Sequence, residues 1–340
     1  MLWNRWCDVT RNNGFGFMID GKCKLFISIG VLFLFLSCGG GFQSIEKLEK
    51  IEPPKDIESA IRIEPAKKPS KKTKTVFQVT RQLSAFETKE AKKRAKQFSH
   101  LNVFRVGEKV TMALTWFAIK AGDVTLEVHP FVYVGDRKTY HFVGTAKTSG
   151  AMNLIHSVDD SIESYVDQET FYPYKAELHG KETDRIREGL VLFDYITKNI
   201  EYWMKVVHVK KGIKEKRRTD PFVPGVIDIF TSAFYLRAQD LKVGEIYHAE
   251  VYNAGKRITV DAEVLRKEKL ETEIGEFDTL VVRPIAKFEG ILQTSGDSTI
   301  WVTDDDRHFV LQLETKIKIG YVVAKLKKIE DSEYQLPKKE

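Results

Sequence analysis

The sequence predicts a mainly β protein: two similar curved antiparallel sheets joined by one helix, carried behind an export segment. Three observations predict it. Short runs of β-branched and aromatic residues follow one another closely after Leu101, helical spacing interrupts them between Asp220 and Gln239, and a lysine-flanked apolar run stands near the amino terminus. With 340 residues, 42% of them hydrophobic, the chain can bury a full core. The net charge is +6, and basic residues stand in runs such as Lys67-Lys68 and Lys71-Lys72-Thr73-Lys74. Such runs read as solvated tether, so no nucleic-acid partner is expected, while the basic balance favours contact with anionic lipid or polymer.

Leu25 to Leu36 reads LFISIGVLFLFL, preceded by Lys22 and Lys24 and followed by Ser37-Cys38-Gly39-Gly40-Gly41. This is the layout of an export signal. The run is short of the about 20 apolar residues that span roughly 30 Å of hydrocarbon, so removal is expected rather than membrane crossing. Leu36-Ser37-Cys38 resembles the lipobox of bacterial lipoproteins, although Phe35 stands where an aliphatic residue is usual. The resemblance implies a diacylglycerol on the Cys38 thiol and cleavage before it. Gly39, in place of the retention Asp of enteric bacteria, implies the outer membrane, facing the periplasm. The alternative is an ordinary cut near Ser37 to Gly39 that frees a soluble periplasmic or surface protein. A start at Met18 would give residues 18–38 the length of a normal signal. The three cysteines, Cys7, Cys23 and Cys38, all lie in this region, which leaves the folded part no disulfide, thiolate nucleophile or cysteine metal site.

Residues 39–100 are rich in Lys and Glu, carry Pro53-Pro54, Pro65 and Pro69, and read as a flexible tether. Within them ETKEAKKRAKQF (Glu87 to Phe98) has good helix formers and no continuous apolar face, so an exposed helix is expected there. The body is placed at 101–330, with halves at about 101–215 and 240–330 and a polar tail at 331–340.

Strands are expected at Val110–Phe117, Asp123–Val128, Phe131–Val134, Thr139–Val143, Tyr247–Tyr252, Ile258–Val264, Thr279–Ile285, Thr299–Thr303, Phe309–Glu314 and Tyr321–Leu326. Val134-Gly135-Asp136 and Asn253-Ala254-Gly255 fit hairpin turns. Behind Pro221 and Pro224, VIDIFTSAFYLRAQ repeats Ile229, Ala233 and Leu236 at helical spacing, with Phe230 beside them, and predicts the helix. Phe104-Arg105-Val106-Gly107-Glu108 echoes Leu241-Lys242-Val243-Gly244-Glu245, 137 positions later, and the same offset relates Asp167 to Asp304. Two matches at one offset suggest duplicated halves.

Phe104 to Glu108 with Trp116 and Ala121-Gly122, DIFTSAFYLR at Asp228 to Arg237, and IWVTDDDRHFVLQLETKIKIGYVVAKL at Ile300 to Leu326 together resemble the bacterial domain-of-unknown-function 3108 family. The resemblance spans Leu101 to Leu326 and implies an exported protein, with no activity attached.

The residues themselves offer little chemistry. Eight histidines show no HExxH or paired-ligand spacing, so no metal is expected, although His129 and His141 could face each other across a hairpin. Asp304-Asp305-Asp306 lacks a calcium loop and reads as a turn. There is no Gly-x-Ser-x-Gly elbow and no phosphate-cradling loop, so neither a catalytic residue nor a cofactor is assigned. Ser232 is expected to bond the helix backbone, and Asp228 and Arg237 to cap or pin the helix through an ion pair. Tyr235, Trp301 and the other aromatics read first as packing. The site candidates are therefore Cys38 for the lipid, and Asp228, Ser232, Tyr235, Arg237, Trp301, Asp304 and Asp305 as a ligand or structural motif. The expected function is that of a non-enzymatic envelope lipoprotein binding a protein, lipid or polysaccharide. The alternatives are a hydrolase using Asp304 and Asp305 and a structural tether touching the cell wall.

Overall fold

The computed structural model of the chain describes residues 51–58, 61, 63–65, 89–98, 102–117, 119–288, 291–295, 298–316 and 320–336. Cys38 and the apolar run read as an export signal lie outside them. Period-two alternation produces most of the sheet: β2 (Lys109–Trp116) buries Val110, Met112 and Leu114 and turns Lys109, Thr111 and Ala113 the other way. β3 (Ile119–Val134), β4 (Arg137–Thr148) and β5 (Val158–Asp167) follow as antiparallel neighbours. Next come β6 (Pro173–Glu182), β7 (Arg185–Asp194), β8 (Asn199–His208) and β9 (Gly212–Pro221). A short β10 (Ile227–Asp228) pairs parallel to β11 (Ile246–Asn253), which leads through β12 (Lys256–Thr272) to β13 (Gly275–Phe288). Beyond it lie β14 (Ile291–Ser295), β15 (Ser298–Thr303), β16 (Val310–Lys316) and β17 (Tyr321–Glu330).

The fold is mainly β, as expected, but its halves are not separate sheets. β17 pairs antiparallel with β2, from Val322 opposite Trp116 to Glu330 opposite Lys109, which makes one continuous curved sheet. Two separate sheets would leave both of these edges open, each with a row of unpaired N–H and C=O groups. The long strands bend at register shifts, between His129 and Val132 in β3 and between Val264 and Arg266 in β12. The echoed motifs do make the same turn. Gly107 N–H donates to Val128 O at 2.8 Å and Gly244 N–H to Val264 O at 2.8 Å. Both glycines sit at positive φ, 91° and 87°. Asp167 corresponds in role to Asp305, one residue beyond the expected Asp304. Each turns one carboxylate oxygen onto the N–H groups two and three residues on.

Helices complete the body: α1 (Lys55–Glu58), α2 (Lys89–Phe98), α3 (Ala151–Ile155) and α4 (Ile229–Arg237). α4 is the helix expected from the sequence, and it lies on the concave face. Its Phe234 stacks on Phe142 of β4 at 3.9 Å between ring centres. Phe230 sits over Gly144, where a Cβ would come within 2.7 Å of its ring. A different face is buried from the one expected: Phe230, Thr231, Phe234 and Arg237 point inward, while Ile229, Ala233 and Leu236 are only half-buried.

The segment read as a tether is partly docked. β1 (Ile63–Pro65) pairs antiparallel with the end of β3. α2 is not exposed all round, because Ala91 and Phe98 are buried and Arg94 lies between them on the same face. The Arg94 guanidinium donates to the carbonyls of Thr170 (2.9 Å), Phe171 (3.2 Å) and Gly225 (3.2 Å) and lies 4.6 Å from the ring centre of Tyr172. The beginning of the polar tail is also held, since the Tyr334 hydroxyl donates to Asp305 at 2.7 Å.

Candidate functional site

α4 is fixed at both ends by the residues singled out in its sequence. Asp228 is its N-cap, with extended backbone, and its carboxylate accepts from Thr231 N–H (2.9 Å), Thr231 Oγ1 and Ser164 Oγ (2.9 Å). Burial raises the Asp228 carboxyl above its ordinary value, and the Thr231 and Ser164 hydrogen bonds pull it back. Ser232 donates to Ile229 O at 2.6 Å, a bond to the helix backbone.

At the other end Arg237 enters a buried charge cluster. Its Nη1 donates to Glu108 Oε1 at 2.6 Å, and Nε and Nη2 donate to Arg307 O at 3.2 and 3.1 Å. The second oxygen of Glu108 accepts from Arg307 Nη2 at 2.7 Å, and the same guanidinium pairs with Asp331. Phe104 and Phe309 flank Arg237, with ring centres 5.1 and 4.9 Å from its Cζ. Thus Glu108 before β2, Arg237 at the end of α4 and Arg307 in the β15–β16 turn meet at one point. The fully buried Glu108 carboxylate bridges two guanidinium groups, which clamps the helix to the start of β2 and to the β15–β16 turn, on either side of β17 in the sheet.

The remaining candidates are scattered. Asp304 pairs with Lys267 at the surface. Asp305 spends one oxygen on Thr303 Oγ1, Arg307 N–H and His308 N–H and the other on Tyr334. Trp301 faces away from α4 and donates its indole N–H to Glu268. Tyr235 is the exception, because with Ser232, Ala233 and Leu236 it forms one wall of an apolar groove. Tyr247, Ala249, Val260, Ala262 and Pro284 form the opposite wall. The cavity at its base is about 50 Å³, well below the roughly 300 Å³ of the smallest drug-sized sites. Among the described residues no strand pairs with the outer edge of Ile246–Glu250, so the groove opens beside an unpaired strand edge.

A second cavity, about 260 Å³, lies where Ile51 covers β4–β7, lined by Thr145, Asp159, Ser161, His179 and Glu188. His179 Nδ1 lies 2.5 Å from Glu188, which raises its pKa against the effect of burial. Asp160 also borders this cavity. One of its oxygens accepts from Arg187 at 2.8 Å and the other has no hydrogen-bond partner among the described residues. Burial raises its carboxyl to about 6, Arg187 opposes the rise and the Glu182 carboxylate adds to it. His129 and His141 do face each other, 5.0 Å apart. No group of three His, Cys, Asp or Glu side chains suited to a metal ion occurs among the described residues.

A carboxyl held above its unfolded value contributes stability that is complete below that value and is lost as pH rises through the folded one. Wild-type protein is therefore expected to lose about 1–3 kcal/mol between pH 4 and pH 7 that Asp160→Asn does not lose. Urea midpoints at the two pH values measure it, and parallel pH profiles would refute it.

A model of the family described as "Protein of unknown function (DUF3108)" matches residues 110–327. The chain belongs to this family. The DUF3108 region contains Asp228, Ser232, Tyr235, Arg237, Trp301, Asp304, Asp305 and Arg307, and Glu108 stands just before it. Three solved structures resemble the DUF3108 chain. One is a β-barrel-like protein of domain of unknown function DUF1849 from Brucella abortus, with 11% identity, a TM-score of 0.45 and coverage of 67% of this chain and 98% of that one. Another is a candidate lipoprotein from Parabacteroides distasonis (10%, 0.29, 66% and 96%). The third is a candidate exported protein with a YmcC-like fold from Bacteroides fragilis (8%, 0.30, 67% and 97%). No curated protein matches the sequence.

Sequence reasoning singled out Arg237 but not its partners in this DUF3108 protein. The signal was present: Glu108 is an acid closing an apolar motif, and Arg307 a base inside a turn otherwise acidic.

Proposed function

We propose that this chain is a non-enzymatic binding protein of the bacterial cell envelope, anchored by lipid on Cys38 to the outer membrane and facing the periplasm. Its groove beside α4 takes an apolar segment of another envelope component, protein or lipid. One observation carries the binding reading: the most apolar stripe of α4, Ile229, Ala233 and Leu236, is left half-buried, and Ala233 and Leu236 line a groove next to a strand edge that no strand covers among the described residues. The polar residues of the same helix are committed to its caps and clamp, and Asp304 and Asp305 border neither cavity. Acid–base work by those two carboxylates would lack a cleft. The envelope reading is supported by the apolar run ending in Leu36-Ser37-Cys38.

A photo-crosslinking side chain placed at Ala249 in living cells should capture a single envelope component, and one at Thr111 on the convex face should not. Identical products from both positions would remove the groove from consideration. For the anchor, Cys38→Ser should abolish incorporation of labelled palmitate and release the chain from membranes. Unchanged labelling and sedimentation would end that part of the proposal.

A further inference from the structure

The β8–β9 hairpin carries a dense run of cations at and beside its tip. Between positions 205 and 218 stand Lys205, Lys210, Lys211, Lys214, Lys216, Arg217 and Arg218 against Glu215 alone, an excess equal to the +6 of the whole chain. The rest of the protein is formally neutral. Residues 211–219 are all exposed. Lys214, Lys216 and Arg218 share one face of β9, beside the β11–β12 turn, where a Cβ on Gly255 would meet Arg218 Cδ at 3.1 Å and Lys216 Nζ at 3.3 Å, while Glu215 and Arg217 face the other way. Burial, with Arg218 and Lys256 close by, lowers the Lys216 ammonium below its ordinary value. The tip is apolar, with Val209 37% and Ile213 65% exposed among Lys210, Lys211 and Lys214. Lysines on an edge strand also deter edge-to-edge association. That role needs neither an apolar tip nor the protein's entire charge excess.

The amino-terminal segment arrives at this place. Asp56 pairs with Arg217 at 2.8 Å. The stretch from Cys38 to Ile51 reaches at most about 45 Å, whereas Arg217 lies roughly 17 Å from the hairpin tip at strand rise. The tip and a lipid on Cys38 can therefore meet one membrane plane.

We propose that the β8–β9 hairpin docks on an anionic bilayer surface, with Lys210, Lys211, Lys214 and Lys216 on lipid phosphates and Val209 and Ile213 at the acyl boundary. Which membrane it meets rests on the anchored reading above; its affinity for anionic lipid does not.

The test uses unacylated chain from Gly39 to Glu340, which retains every described residue and its contacts. Flotation is measured with phosphatidylcholine vesicles with and without one-third phosphatidylglycerol. Binding is expected only to the anionic vesicles and should weaken with salt. Changing Lys210, Lys211, Lys214 and Lys216 to Gln should lower the partition coefficient about fivefold per lysine, several hundredfold in all. Ile213→Asn, at unchanged charge, should lower it about tenfold. A charge-matched control on α2, with Lys89, Lys92, Lys93 and Lys96 changed to Gln, should bind nearly as wild type. Equal binding to neutral vesicles, an unaffected hairpin variant, or a control that loses as much would each overturn the proposal. Dextran sulfate binding as tight as vesicle binding, with Ile213→Asn without effect on either, would assign the hairpin to an anionic polymer and overturn it too. All substituted side chains are exposed, so unchanged circular dichroism should accompany each result. Failure of Cys38 labelling would leave this outcome untouched.

Discussion

Replacing Glu108 with alanine is expected to lower the unfolding free energy by about 3–5 kcal/mol, a large part of the 5–15 kcal/mol typical of a domain. The carboxylate is buried and neutralises two guanidinium groups that are themselves buried or nearly so. Its removal leaves Arg237 with the carbonyl of Arg307 and no counter-ion, and leaves Arg307 with the carbonyl of Val103 and Asp331. The cost of the unpaired charge exceeds the net worth of the pair, so the control is informative. Changing Glu108, Arg237 and Arg307 together to apolar residues of similar size should recover most of the loss. Urea denaturation followed by tryptophan fluorescence measures both. A loss below about 1 kcal/mol for the single variant would mean that the clamp does not hold the helix.

Gly144→Val is expected to cost about 3 kcal/mol or more through the opposite fault, overpacking. The new Cβ would lie 2.7 Å from the Phe230 ring and 3.1 Å from a methyl of Ile162. Phe230 cannot withdraw easily, because it packs edge-on against Phe234, which in turn is stacked on Phe142. The second change Phe230→Ala should restore part of the stability by making room, giving a coupling energy that separate sites would not show. Additive effects in thermal unfolding would place α4 elsewhere than against β4.

Local pattern reveals those strands that have one wet face and one dry face. β2, β3 and β17 mostly alternate in this way, and their sequences declare it. β9 does not, because GIKEKRRTDP buries nothing and looks like solvated chain until its backbone is seen paired with β8. The docked face of α2 is not legible because its inward stripe, Ala91, Arg94 and Phe98, includes an arginine, a polar residue by pattern even when backbone carbonyls satisfy its guanidinium. The N-cap at Asp228 and the backbone bond of Ser232 follow from spacing alone, since they depend on neighbours in the chain. The partners of Arg237 lie 129 and 70 positions away, beyond the reach of any local rule.

The pairing of β17 with β2 bears on when this molecule can fold. The seam joins the first long strand of the body to its last, so the polypeptide must be present almost to Glu330 before the sheet is whole. Until then the inner faces of the early strands lack their neighbours. Closure of the architecture is thereby postponed until the last strand of the body has been made.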